Sequence, residues 1–248
     1  MIYIMKELGL GTMSEEEIMK AFTVIPQGVT ILDLSVNRLG KKSGAELAQV
    51  FVIIPKDVTT LNLSWNYLGG KTGAELAQAF AAITQRVVTL DLSMNAFYLK
   101  SGAELAQAFA AIPNGVTSLD LSLNDFWEKS AEELTLIFEA IPKNVMSVSL
   151  SLQELNKMSP EQLKAIRTRY PCAEQIILVD TYRKLNPSLS RVDANVYARF
   201  GFKVSAPSLF HTASFFVAKN KEKLEQLVPG FEHMLHPGLI NGIKQFGG

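Results

Sequence analysis

Few residues in this sequence are equipped for covalent or metal chemistry. Its three histidines, His211, His233 and His236, all lie late in the chain, and its one cysteine is Cys172. His233 and His236 stand three apart and can share a helical face, but two imidazoles without a cysteine or third histidine make a weak metal site. Cys172 has no histidine upstream of it to act as its base and reads as a small packing residue. Gly69-Gly70-Lys71-Thr72 has the ending of a phosphate loop without its upstream glycine, and Thr72 is already explained as a helix cap. Neither a nucleophile elbow, nor a dinucleotide fingerprint, nor His-Glu-x-x-His occurs. The expectation is therefore no catalytic residue, no metal, no cofactor and no enzyme. The remaining chemistry is that of recognition: carboxylates Asp33, Asp91 and Asp120 recur in register, with Asn62 between the first two, and would form a negative stripe able to meet a basic surface.

What holds these residues in register is a repeated phrase. Leu32-Asp33-Leu34-Ser35-Val36-Asn37 recurs from Leu61, Leu90 and Leu119, and more weakly from Val148, each 29 residues after the last. A fixed period of this length signals a solenoid, whose units bury their apolar faces only against one another. Alternation of Leu32 with Leu34, and of their counterparts, predicts a short strand with one buried face. The asparagine that ends each phrase (Asn37, Asn66, Asn95, Asn124) falls where the chain leaves the strand, and a ladder of such amides would fix the turns. Each second half opens on a capping box: Ser14/Glu17, Ser43/Glu46, Thr72/Glu75, Ser101/Glu104, Ser130/Glu133 and Ser159/Gln162. Apolar residues then follow at i, i+4 and i+7, as in Leu76, Phe80 and Ile83, which predicts a helix; Pro55, Pro113 and Pro142 stop it in three of the repeats.

One period earlier, Tyr3 and Met5 take the leucine places, so the first repeat is a degenerate cap. The last repeat also degrades, with Gln153 for Asn and Arg167 for the helix phenylalanine, before a final strand at 176–179. Beyond 186 the period is lost. Helices are expected near 191–200, 208–218, 220–228 and 237–246, forming a cap over the open end of the array.

Lys plus Arg and Asp plus Glu each number 24, so no global field recruits nucleic acid or an anionic membrane. No stretch approaches the ~18 apolar residues of a membrane span, the N-terminus lacks a secretory pattern, and a lone cysteine suits a reducing compartment. A cytoplasmic chain, monomeric on its own, is expected.

Val58-xx-Leu61-x-Leu63-xx-Asn66-x-Leu68 followed by a helix resembles the ribonuclease-inhibitor type of leucine-rich repeat. The wording Gly-Val-Thr-x-Leu-Asp-Leu-Ser-x-Asn with Ser-Gly-Ala-Glu-Leu-Ala-Gln-Ala-Phe-Ala-Ala-Ile-Pro is similar to leucine-rich-repeat effectors that intracellular bacteria inject through type IV systems. The resemblance implies an α/β fold, a right-handed horseshoe with parallel strands on the concave face and α-helices on the convex face. It assigns residues 1–182 to the repeat domain, leaving 186–248 as a helical C-terminal cap region. It also implies a module that grips one folded protein, an enzyme among the candidates, either a host protein or another bacterial effector, and inhibits or regulates it by covering a functional site. Host-cell cytosol is then the place of action. An adaptor that uses the C-terminal region for a second protein is the alternative, and an enzyme with its site in 186–248 a weaker one.

Side chains for such contacts are found in two sets. The acidic column is Asp33, Asp91 and Asp120. The apolar column before the asparagines is Val36, Trp65, Met94 and Leu123, with Tyr67, Tyr98 and Trp127 in the turns beyond. If the apolar column turns outward it supplies anchors, Trp65 and Tyr67 foremost. Strands ~4.8 Å apart would give seven of them a face roughly 30 Å long, enough for about 800 Å² of contact.

Overall fold

Seven short strands form one parallel sheet in strict chain order: β1 (Ile2–Ile4), β2 (Ile31–Asp33), β3 (Thr60–Asn62), β4 (Thr89–Asp91), β5 (Ser118–Asp120), β6 (Ser147–Ser151) and β7 (Ile176–Val179). The computed structural model describes residues 1–180 and 196–202. The chain divides into compact units Met1–Phe202 and Lys203–Gly248, and the second lies outside the described residues, as do the helices expected after 202.

The 29-residue period appears directly as sheet register. Tyr3 pairs with Leu32, Leu32 with Leu61, Leu61 with Leu90, Leu90 with Leu119 and Leu119 with Val148. Between strands run helices α1 (Glu15–Thr23), α2 (Gly44–Val52), α3 (Gly73–Ala81), α4 (Gly102–Ala110) and α5 (Ala131–Ala140), each preceded by a single 3-10 turn. A shorter helix, α6 (Leu152–Lys157), replaces that turn in the sixth repeat and leads into α7 (Pro160–Arg169). Parallel strands packed beside wider helices make a leucine-rich-repeat solenoid, with the strands on its inner side.

All six capping boxes form, hydroxyl to N3 amide and N3 side chain to cap amide. The glutamates do more than cap their own helices: Glu75 and Glu133 also accept from the first amides of α2 and α4, Gly44 and Gly102, at 3.3 and 2.9 Å. The core runs unbroken between sheet and helices. Leu61, Leu63, Leu76 and Phe80 are fully buried, as are their counterparts in the neighbouring repeats. Phe97 and Phe126 take the place of Leu39 and Leu68, and Phe97 meets Phe109 edge-on at 5.5 Å.

Helix spacing depends on one small residue. A Cβ on Gly44 would lie 2.7 Å from Glu75 Cα, and one on Gly73 2.6 Å from the Glu104 carbonyl oxygen, so these helices touch only because the position has no side chain. In α1 the same place holds Glu15. There the helix stands off α2 and leaves a groove of about 520 Å³ lined by Glu15, Ile18, Met19, Ala45, Ala48 and Val52 among others.

At the other end the array is closed. Residues 196–199 are helical; Phe200 is buried, the Tyr197 hydroxyl donates to the Ile176 carbonyl at 2.8 Å, and Arg167 donates to the Phe200 carbonyl at 3.1 Å.

Candidate protein-binding surface

Each turn out of the sheet is built around a buried asparagine. Asn66 Nδ2 donates to the carbonyls of Leu34, Leu63 and Ser64, while its Oδ1 accepts from the Asn37 and Leu39 amides of the previous repeat. Asn95 repeats the pattern toward Asn66 and Leu68, and Asn124 toward Asn95 and Phe97. Every capacity of the amide is used, so the turns are locked together in series.

This ladder forces its neighbours into the left-handed region. Val36, Trp65, Met94 and Leu123 have φ of 57–59°, as do Arg38, Tyr67, Ala96 and Asp125 on the far side of each asparagine. For non-glycine residues that conformation is costly and persists only where the surroundings impose it. Its effect is to aim side chains off the turn. Trp65 is 43% exposed and Tyr67 60%, whereas Val36, Met94 and Leu123 are half-buried. Trp127 is half-buried and engaged locally: its indole N–H donates to Asp125 Oδ1 at 3.0 Å, and the Lys157 ammonium sits 4.3 Å above its ring.

The acidic column has a structural duty as well. Asp33, Asp91 and Asp120 each accept from the amide of the serine two residues on, at 2.9 Å, and Ser93 and Ser122 add their hydroxyls to Asp91 and Asp120 at 2.7 and 2.6 Å. Asn62 makes the same amide contact at 2.9 Å. The turn thus needs an acceptor oxygen, and the charge is additional to that need. The serine column (Ser35, Ser64, Ser93, Ser122) is buried.

Two features escape a reading of the repeat alone. Ile2 and Ile4, 62% and 66% exposed, extend the open strand face beyond Ile31 and Asp33, with which they pair. Their alternation with Tyr3 and Met5 is the signal that places them. The second is Glu154. Gln153, at the asparagine position, is exposed, and the next residue turns inward instead: Glu154 is 4% exposed and accepts from the Asp125 amide at 2.6 Å and from the Leu123 amide, ending the ladder with a carboxyl. Burial, reinforced by the Asp125 carboxylate, pushes its pKa up to about 7 despite these amides. The capping glutamates go the other way. Glu46 is brought down to about 2 by the Ser43 amide and hydroxyl, with Lys42 assisting.

Among the described residues no group of three His, Cys, Asp or Glu side chains is placed to hold a metal ion, and no helix is long and apolar enough to cross a membrane. Cys172 is an exposed free thiol, and the three histidines lie outside the described residues.

No family model and no curated protein matches the sequence. Among solved structures, the chain is similar to the leucine-rich repeat-containing protein LegL7 of Legionella pneumophila, at 30% identity and a TM-score of 0.58, over 84% of this chain and 92% of that one. The unbroken 29-residue register, the asparagine ladder and a likeness spanning nearly all of LegL7 lead to one assignment: this chain belongs to the leucine-rich-repeat protein family.

Proposed function

We propose that the chain is a non-enzymatic protein-binding protein that grips one folded partner with its strand face and outgoing turns and regulates it by covering a functional site. The observation that carries this reading is the presentation of Trp65 and Tyr67. Two large aromatic side chains stand exposed on either side of a fully buried asparagine, on backbone held by the ladder. Exposed aromatics are frequent anchors of protein interfaces. Val36, Met94 and Leu123 continue the apolar strip, Ile2 and Ile4 lengthen it at the N-terminal end, and Asp33, Asp91 and Asp120 lie beside it. Trp127, occupied by Asp125 and Lys157, belongs to its margin.

The likeness to a Legionella protein supports a bacterial setting, with the protein acting in a cytosol, that of the host if it is injected. The partner is then a host protein or another bacterial effector, with enzymes among the candidates. Affinity capture with the full chain, wild type beside Trp65→Ala/Tyr67→Ala, tests the surface: the double variant should bind its partner at least about 2 kcal/mol more weakly. Asp91→Asn with Asp120→Asn keeps the turn contact that Asn62 makes, so it removes charge alone. The association rate should fall and lose salt dependence if the acidic column steers the encounter. Equal capture by the aromatic variant would move the interface elsewhere, and capture that instead follows residues 203–248 would favour the adaptor reading.

A further inference from the structure

The outgoing turns carry a second pattern, set across the repeats rather than within them. One residue after each ladder asparagine stand, in order, Arg38, Tyr67, Ala96 and Asp125. Four residues after it stand Lys41, Gly70, Leu99 and Glu128. Both columns begin with a cation, end with an anion, and place one large and one small residue between. Arg38, Lys41, Gly70 and Glu128 are exposed, Tyr67 and Leu99 are 60% and 56% exposed, and Ala96 and Asp125 are half-buried. Among the described residues the lysines at the helix starts pair with their own glutamates, Lys42 with Glu46, Lys71 with Glu75 and Lys100 with Glu104, whereas Arg38, Lys41 and Glu128 have no ion-pair partner.

We propose that this rim is an interface with a second copy of the chain, the two arrays stacked rim to rim and running in opposite directions. Reversal sets the second repeat of one copy against the fifth of the other, and the third against the fourth. Arg38 then faces Asp125, Lys41 faces Glu128, Tyr67 faces Ala96 and Gly70 faces Leu99, each pair formed twice about the two-fold. Charge opposes charge and bulk opposes space in all four pairs. A hollow of about 470 Å³ lined by Arg38, Gly40, Lys41, Tyr67 and Gly70 is where the other copy's Leu99 is received. The parallel arrangement sets Arg38 against Lys41 and Asp125 against Glu128 and is repulsive. Because the contact is isologous, it closes at two copies and does not propagate.

Four repeats at ~4.8 Å spacing span only ~14 Å along the strand side, so the buried area falls below the about 800 Å² per partner of a standard interface. The dimer is weak and screened by salt. It covers Tyr67, so it competes with any partner held there, but it does not depend on there being one.

Sedimentation velocity on the full chain tests this, from about 5 to about 200 µM protein at about 50 mM salt, where surface charge is least screened. Wild type should show a concentration-dependent dimer that dissociates in high salt. Lys41→Glu and Glu128→Lys, both at exposed positions, should each weaken it about tenfold or more, while an equimolar mixture of the two variants should restore it, since every reversed charge then meets its opposite. Circular dichroism melts confirm that each variant is folded. Asp125→Asn, which suits the left-handed backbone there, should weaken the dimer in the same direction. A chain that stays monomeric throughout overturns the proposal, as does a dimer indifferent to the single reversals or not restored by mixing.

Discussion

Glu154 shows how one residue sets the pH response of the array. Its folded pKa of about 7 stands above the ordinary 4.5, so the folded state holds a proton that the unfolded chain releases. Its contribution is complete below pH 4.5 and is lost as pH rises toward 7, by on the order of 3 kcal/mol. The capping glutamates, lowered by their cap residues, act with opposite sign: what they add is present above pH 4.5 and is lost on acidification. Stability should therefore be greatest in mildly acidic solution. In Glu154→Gln the slope between pH 5 and 7 should flatten, so that unfolding free energies from urea titrations compared at pH 5 and pH 8 move in the variant's favour by on the order of 3 kcal/mol. An unchanged pH profile would mean that the carboxyl ionises freely in the fold. The sequence conceals this group because the ladder's last rung shifts by one residue, from the expected Gln153 to Glu154, and no period reports such a shift. The acidic column was visible, but its bonds to Ser35, Ser93 and Ser122 become apparent only once the strand turns.

At the scale of the element, the capping boxes and apolar stripes were legible because each is local, and six concordant copies leave no ambiguity of register. The distance between helices was not, since it depends on what a neighbouring repeat places opposite Gly44, Gly73 or Gly102. Gly73→Ala separates the two influences. Helix propensity favours alanine by about 1 kcal/mol, but the added methyl would lie 2.6 Å from the Glu104 carbonyl oxygen and 2.8 Å from its Cα, where backbone cannot yield cheaply. Overpacking should win, with a net loss of about 1–2 kcal/mol in urea unfolding. A stabilised variant would show that α3 and α4 can separate without cost.

For the repeat array as a whole, the two ends differ in how well they are closed, and this sets where unfolding begins. At the C-terminal end Tyr197 and Arg199 donate to the Ile176 and Leu155 carbonyls and Arg167 donates back to the Phe200 carbonyl, tying residues 196–202 to the last repeats over a buried Phe200. At the other, Leu8 is 47% exposed where the next four repeats bury an asparagine, Ile2 and Ile4 are open, and α1 rests beside a groove rather than against α2. In a linear array a terminal repeat has one neighbour, and its stability is its own plus a single interface. That interface is loosened here by Glu15. Amides of α1 (Glu15–Thr23) should therefore exchange with an opening free energy at least about 2 kcal/mol below those of α3 and α4, about thirtyfold in protection at equal intrinsic rates. Hydrogen exchange read by mass spectrometry decides it. If α1 is protected as strongly as α3, Glu15 does not loosen the first interface and the array opens elsewhere.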